Sequence, residues 1–208
     1  MNPATTLTFL RLGKVMPWDA ACYIAAQFIG GVGGVLLSKL LLGSIIAHPS
    51  VNYVTTVPGP AGVSIAFLAE AAIACGMMLM VLFVSNTPKL ARFTGLFAGL
   101  LVFLYITFEA PLSGMGINPA RTFASALPSE IWTSGWLYFT APVLGMLLAA
   151  QLYRSFHNSE HIACPKLHHG AAQRCIFCGH PGAQNSGKVA RRNAIKCIQV
   201  STRRVNIC

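Results

Sequence analysis

Acidic side chains are scarce in this sequence: Asp and Glu supply 5 of 208 residues, and charged residues of both signs make up 10%. A water-soluble domain carries about a quarter charged residues, so the shortfall excludes an ordinary solvated exterior. The start also lacks a charged segment followed by an apolar one, because Met1 leads at once into Asn2-Pro3-Ala4. That start predicts neither a signal peptide nor a leading transmembrane helix. No nucleophile–base pair or cofactor motif is visible, which argues against an enzyme. The basic excess has no interleaved aromatics and no recognised nucleic-acid fold, so nucleic-acid binding is not expected either.

What is present is apolar. Hydrophobic residues make up 54% of the chain and the mean hydropathy is +0.60. At roughly 20 residues per transmembrane helix, this accommodates about four spans and some shorter pieces. The spans are expected near 18–44, 63–84, 93–112 and 132–153, with Glu70 as the lone charge inside the second. The first contains Gly30, Gly31, Gly33 and Gly34. In water these would weaken a helix, whereas in lipid they let neighbouring backbones approach. The Met77-Met78-Leu79-Met80 run reads as lipid- or helix-facing surface, and His48 as a loop residue on the outer face.

Nine of the fifteen Lys/Arg residues lie from Arg154 onward, accompanied by one acid, Glu160. Arg11 and Lys14 precede the first span, and Lys89 and Arg92 follow the second. If each span crosses once, all these charges fall on one side with the tail. The opposite loops, 45–62 and 109–131, contain a single basic residue, Arg121. The excess of positive charge on one side predicts a cytoplasmic C-terminal tail. The chain therefore divides into a membrane domain, 1–156, and a cytoplasmic basic tail, 157–208.

An internal repeat adds the functional signal. Asn2-Pro3-Ala4-Thr5-Thr6-Leu7 pairs with Asn118-Pro119-Ala120-Arg121-Thr122-Phe123. Each copy reads as a short helix with Pro at its first position, where the missing N–H costs nothing. The second, 118–127, is too short to cross a bilayer. The charge pattern places the two copies on opposite faces, which is the mark of an inverted repeat with its site near the midplane. Two helix N-termini meeting there direct unpaired N–H groups and positive dipole ends at one point. The Asn2 and Asn118 amides would donate to a passing oxygen. A water molecule accepting from both turns its hydrogens outward, which breaks a proton-conducting chain, while the dipoles repel cations.

With these two motifs, and with Ser113-Gly114-Met115-Gly116-Ile117-Asn118-Pro119-Ala120-Arg121-Thr122-Phe123 in particular, the chain resembles the aquaporin (major intrinsic protein) family over about residues 1–156. The resemblance implies an all-α integral membrane protein, an aquaporin-like inverted repeat with two half-helices, and assembly as a homotetramer with one pore per subunit. The family's first two spans have no counterpart before Asn2, so an N-terminally truncated member is expected. Arg121 matches the family's filter arginine, and an intramembrane charge is costly enough to be functional by default. Ile106 aligns with another filter position, where many water channels have His. Met115 stands where the family has a small residue, and its flexible side chain is placed to narrow the pore. Thr122, Ala126 and the Tyr138-Phe139 pair resemble the water-channel branch. In the family a glutamate at the Glu70 position accepts hydrogen bonds from buried loop backbone, while Glu109 is expected at the outer mouth.

The pore and solute-binding residues are thus expected to be Asn2, Ala4, Ile106, Met115, Asn118, Ala120 and Arg121, supported by Pro3, Glu70 and Pro119. The expected activity is passive, ion- and proton-excluding transport of water and other small uncharged solutes across the bilayer. The alternatives are a broader facilitator of glycerol, urea, ammonia or peroxide, or a non-conducting membrane protein with a metal-binding tail. In that tail Cys164, His168, His169, Cys175, Cys178 and His180 fall within 17 residues. Cys164, His168, Cys175 and Cys178 suit a tetrahedral zinc site, with a redox dithiol or an unliganded tail as the other readings. No further cofactor is expected. Bacterial relatives resemble the chain in having such a tail, and the expected location is the bacterial inner (plasma) membrane. Residues 183–208 have the composition of a disordered segment.

Overall fold

The computed structural model describes residues 2–157. Among them the chain forms α1 (Pro3–Arg11), α2 (Pro17–Leu42), α3 (Ser44–Ala47), α4 (Val63–Ser85), α5 (Thr94–Phe108), α6 (Ala110–Ser113), α7 (Pro119–Ser129) and α8 (Gly135–Phe156), with 3₁₀ turns at Asn52–Val54 and Ala91–Phe93. No strand occurs among the described residues. Four helical stretches are long and apolar enough to cross a membrane: Pro17–Leu42, Val63–Ser85, Ala91–Phe108 and Gly135–Phe156.

Local chemistry sets several of these boundaries. The stretch expected to run unbroken over 93–112 is divided at Glu109, because Pro111 follows two residues on. A proline there has no N–H for the carbonyl one turn back, and its ring would collide with that carbonyl. The chain restarts as α6 and stops at Gly114, whose φ is 82°. Helix α8 begins three residues later than Trp132, after Ser134 in the left-handed conformation. Helices α1 and α7 start as the repeated motif requires. Asn2 Oδ1 accepts from Ala4 N at 2.9 Å, and Asn118 Oδ1 accepts from Ala120 N at 3.1 Å. Each cap has proline at the next position.

The frame of the molecule is the α4–α8 pair. Phe67 meets Trp136 near their N-terminal ends and Phe83 meets Tyr153 near their C-terminal ends, so the two helices run parallel. Ile73, Ala74, Met78 and Leu82 of α4 share one core with Met146, Ala149 and Tyr153 of α8 and with Phe9 of α1. Met78 is almost fully enclosed there, so this part of the methionine run faces helices and not lipid. Gly145 makes the approach possible, since a Cβ there would collide with the Ala71 carbonyl oxygen.

Helices α2 and α5 are different. Their only buried residues are Ala20 and Thr94 respectively. Leu40, Leu41, Leu96, Phe103 and Phe108 all point outward, an arrangement stable only against lipid or other apolar surfaces. Of the four α2 glycines, Gly31 alone faces a close neighbour among the described residues, with its Cβ position 3.2 Å from Ala120 O and from Ala124 Cβ of α7. Gly30, Gly33 and Gly34 meet nothing within 4 Å among the described residues.

The two short helices leave their meeting point in opposite directions. Arg11, ending α1, lines a surface pocket with Arg154 near the C-terminal end of α8. Ser125 and Ser129 of α7 instead accept from Thr55 in the loop after α3. At about 1.5 Å per residue, the nine and eleven residues of α1 and α7 together reach roughly 30 Å, the thickness of a hydrocarbon core.

The close α4–α8 contact yields a paired prediction. Gly145→Ala overpacks this interface and is expected to cost about 1–3 kcal/mol, whereas Gly33→Ala stays within about 0.5 kcal/mol of the parent. Thermal unfolding of both variants in detergent, followed by circular dichroism, measures the difference.

Candidate functional site

The N-termini of α1 and α7 touch directly. Asn2 Nδ2 donates to the Ile117 carbonyl at 3.0 Å, across 115 residues of sequence. Asn118 holds the other start, accepting also from Arg121 N at 3.3 Å. The leading N–H groups of a helix have no intrahelical acceptor, and proline in the first turn adds none of its own to them. Pro3, Ala4, Pro119 and Ala120, next to the asparagines in the two motifs, are all buried. Gln27 Nε2 of α2 donates to Thr6 Oγ1, and Thr5 Oγ1 reaches Met146 Sδ of α8 at 3.4 Å.

Two cavities flank the junction. One, of about 500 Å³, is lined by Asn2, Met77, Ile106, Met115, Asn118 and Arg121. The other, of about 530 Å³, lies between α2 and α7 and includes Gly30, Gly31, Asn118, Ala120 and Arg121 in its wall. Asn118 and Arg121 belong to both, so they form the partition between them. Five of the seven expected pore residues, Asn2, Ile106, Met115, Asn118 and Arg121, therefore share one cavity. Ala120 borders the other, and Ala4 is fully buried behind the surface. Ile106 is 57% exposed and presents an apolar wall. One guanidinium nitrogen of Arg121, Nη1, is enclosed without a hydrogen-bond partner among the described residues.

The loop that carries Met115 and Ile117 between α6 and α7 is held from below by α4. Met115 and Ile117 have φ of 52° and 53°, a left-handed conformation that a β-branched residue adopts only under constraint. The constraint is Glu70, which is wholly buried. Its Oε2 accepts from Ile117 N at 2.8 Å, and its Oε1 accepts from Gly116 N. Ser113 Oγ contacts Oε1 at 2.8 Å, and Tyr138 Oη donates to the Ser113 carbonyl. Gly116 has no room for a side chain, because a Cβ would sit 2.7 Å from Tyr138 and 3.2 Å from Glu70 Oε1.

Three contributors escaped the sequence reading. Ser113 appeared there only as the start of a motif, Tyr138 only as a branch marker, and Glu109 as a residue at the outer mouth. The structure instead buries Glu109 against Ser113. The available signal was the four-residue spacing from Glu109 to Ser113, which puts both on one helical face. Cys164, His168, Cys175 and Cys178, the expected metal ligands, lie outside the described residues. Among the described residues no cluster of three metal-binding side chains occurs.

Comparison with known proteins adds to this geometry. The family model described as major intrinsic protein matches residues 1–153. Maize aquaporin NIP2-2 is 36% identical over 163 residues, covering 77% of this chain and 53% of that protein. Arabidopsis thaliana aquaporin NIP6-1 is 32% identical over 168 residues, covering 80% of this chain and 53% of that protein. The chain thus spans about half the length of the curated relatives it matches. Among solved structures, the aquaglyceroporin from Plasmodium falciparum superposes with a TM-score of 0.64 at 20% identity, over 73% of this chain and 70% of that one.

Removing the negative charge beneath the loop tests its role. Glu70→Gln keeps one acceptor oxygen and turns an NH₂ group toward a backbone donor, a cost of about 1–3 kcal/mol. Amide hydrogen exchange at Gly116 and Ile117 is expected to speed up relative to the amides of α4. Unchanged protection of both amides would remove Glu70 from this role.

Proposed function

The chain belongs to the major intrinsic protein family, and from that premise we propose that it forms a passive transmembrane pore for water, with other small uncharged solutes as secondary cargo. The family and the four long apolar helices make it an integral membrane protein. The observation that carries the proposal is the junction of two opposed helix N-termini at one cavity, with Asn2, Asn118 and Arg121 in its wall.

At that junction the two helix starts concentrate positive potential, which opposes cations. A water oxygen accepting from the asparagine amides cannot also pass a proton along the file. Arg121 adds a charged donor, which attracts the solute oxygen and repels cations a second time. Met115 and Ile106 supply the apolar part of the wall, so a passing molecule finds few polar partners and is not held. No step in this transport makes or breaks a covalent bond, and no residue is assigned a catalytic role.

A broader solute range is the second reading. Its support is the apolar side of the cavity at Ile106 and Met77, which offers a glycerol backbone a non-polar surface. A homotetrameric assembly and a cytoplasmic tail are part of the proposal. Arg11 and Arg154 sharing one pocket at the C-terminal ends of α1 and α8 is consistent with that orientation. The relatives named above come from plants, so they lend no support to a bacterial inner membrane.

Stopped-flow shrinkage of proteoliposomes containing the full chain, with water and glycerol gradients in parallel, tests the reading. Fast water flow with little glycerol flow is the expected result, and water flow equal to that of bare lipid would overturn it. Arg121→Val is expected to raise glycerol flow severalfold and to admit protons. Unchanged permeability to every solute would place Arg121 away from the constriction.

A further inference from the structure

Counting hydrogens around Ser113 locates a proton. Ser113 Oγ accepts from Met115 N at 3.2 Å and lies within hydrogen-bond reach of two carboxyl groups, Glu70 at 2.8 Å and Glu109. A hydroxyl has one hydrogen and two lone pairs. It donates to only one of the carboxyls, so the other must bring a hydrogen of its own. Glu70 accepts from two backbone N–H groups, one on each oxygen, as an ionised carboxylate does. Glu109 has no such donors, and its Oε2 is buried with no partner among the described residues. An ionised carboxylate in that position would be uncompensated, which is far more costly than a neutral acid.

We infer that Glu109 is held as the neutral carboxylic acid, donating its proton to Ser113 Oγ while Ser113 donates to Glu70. In this relay Glu109 is a positioning residue that keeps Ser113, and through it Met115, in place at the cavity wall. When Glu109 ionises, two carboxylates contest one hydroxyl hydrogen. Glu109 leaves the relay, Ser113 loses its place, and the Met115 side chain is released into the cavity. Water flow therefore falls as pH rises. The flow part rests on the pore reading above, whereas the location of the proton does not.

Glu109 stands one residue beyond the apolar stretch Ala91–Phe108. Burial pushes its carboxyl above the usual range, the Ser113 contact opposes that rise, and the nearby Glu70 charge adds to it. The ionisable groups acting around it are Glu70 of α4, Tyr105 of α5 and Tyr138 of α8, while Arg121 of α7 couples to Glu70 and Tyr138. With a raised value, the folded state keeps a proton that the unfolded chain releases. The stability from this relay is therefore complete below the ordinary carboxyl value and is lost as pH rises through the raised one.

The test is infrared spectroscopy of the full chain in lipid, reading the C=O band of protonated carboxyl groups across a pH series. The band is expected in the parent at neutral pH, absent in Glu109→Gln, and lost from the parent as pH rises. No band in the parent at neutral pH overturns the inference without recourse to any variant. A band that survives Glu109→Gln places the proton on another residue and also overturns it. In proteoliposomes the parent's water flow is expected to fall severalfold over the pH interval in which the band disappears. The Glu109→Gln protein, which cannot ionise at that position, should lose this pH dependence. Parent flow that stays constant while the band disappears overturns the positioning role. Flow equal to bare lipid at every pH refutes the pore reading, and the infrared arm still decides where the proton resides.

Discussion

A buried loop must satisfy its backbone N–H groups, and here that obligation falls on one carboxylate. Glu70, inside α4, accepts from the amides of Gly116 and Ile117, and the rest of the site depends on that hold. It keeps two non-glycine residues in left-handed backbone conformations, each costing on the order of 1–3 kcal/mol. It presents the Ile117 carbonyl to Asn2 and sets where α7 begins. An amide pair left unsatisfied in a low-dielectric interior costs more than a well-partnered charge, so a glutamate inside an apolar helix is tolerated.

The frame behind the loop divides the work unevenly. Helices α4 and α8 pack through small residues, with Gly145 against Ala71 as the tightest point, and they bury most of the core. Helices α2 and α5 bury almost nothing among the described residues, yet both border the site. Helix α2 brings Gly31 against Ala120 and Gln27 to Thr6, and α5 contributes Ile106 to the cavity. Precision at the junction thus comes from polar tethers and one glycine contact. Lipid-facing helices gain little from apolar contact with one another, so close backbone approach and hydrogen bonds carry the specificity.

Ser113, Glu109 and Tyr138 show how a site extends beyond its motif. Tyr138 Oη binds the Ser113 carbonyl and its ring occupies the space next to Gly116. Ser113 joins two acids that are 39 residues apart in the chain. In sequence, Glu109 reads as an acid at the outer mouth. In the fold, Glu109 caps the start of α6 and is buried, where it meets a hydroxyl in place of solvent.

The sequence by itself determined the class of structure. Long apolar runs with few charges require lipid-crossing helices, and the repeated Asn-Pro-Ala requires two capped helix starts, because both follow from composition and nearest-neighbour chemistry. Asn2 and Asn118 were legible from the repeat, and the family resemblance pointed to Arg121, Met115 and Ile106; all five come together at one cavity. Tertiary structure alone decided the remainder. It selected Gly31 from four glycines, turned Met78 of the methionine run toward neighbouring helices, and joined Glu109 to Glu70 through Ser113. Each of these depends on which face of a helix meets which neighbour. That is a property of packing across dozens of residues, and no local pattern encodes it.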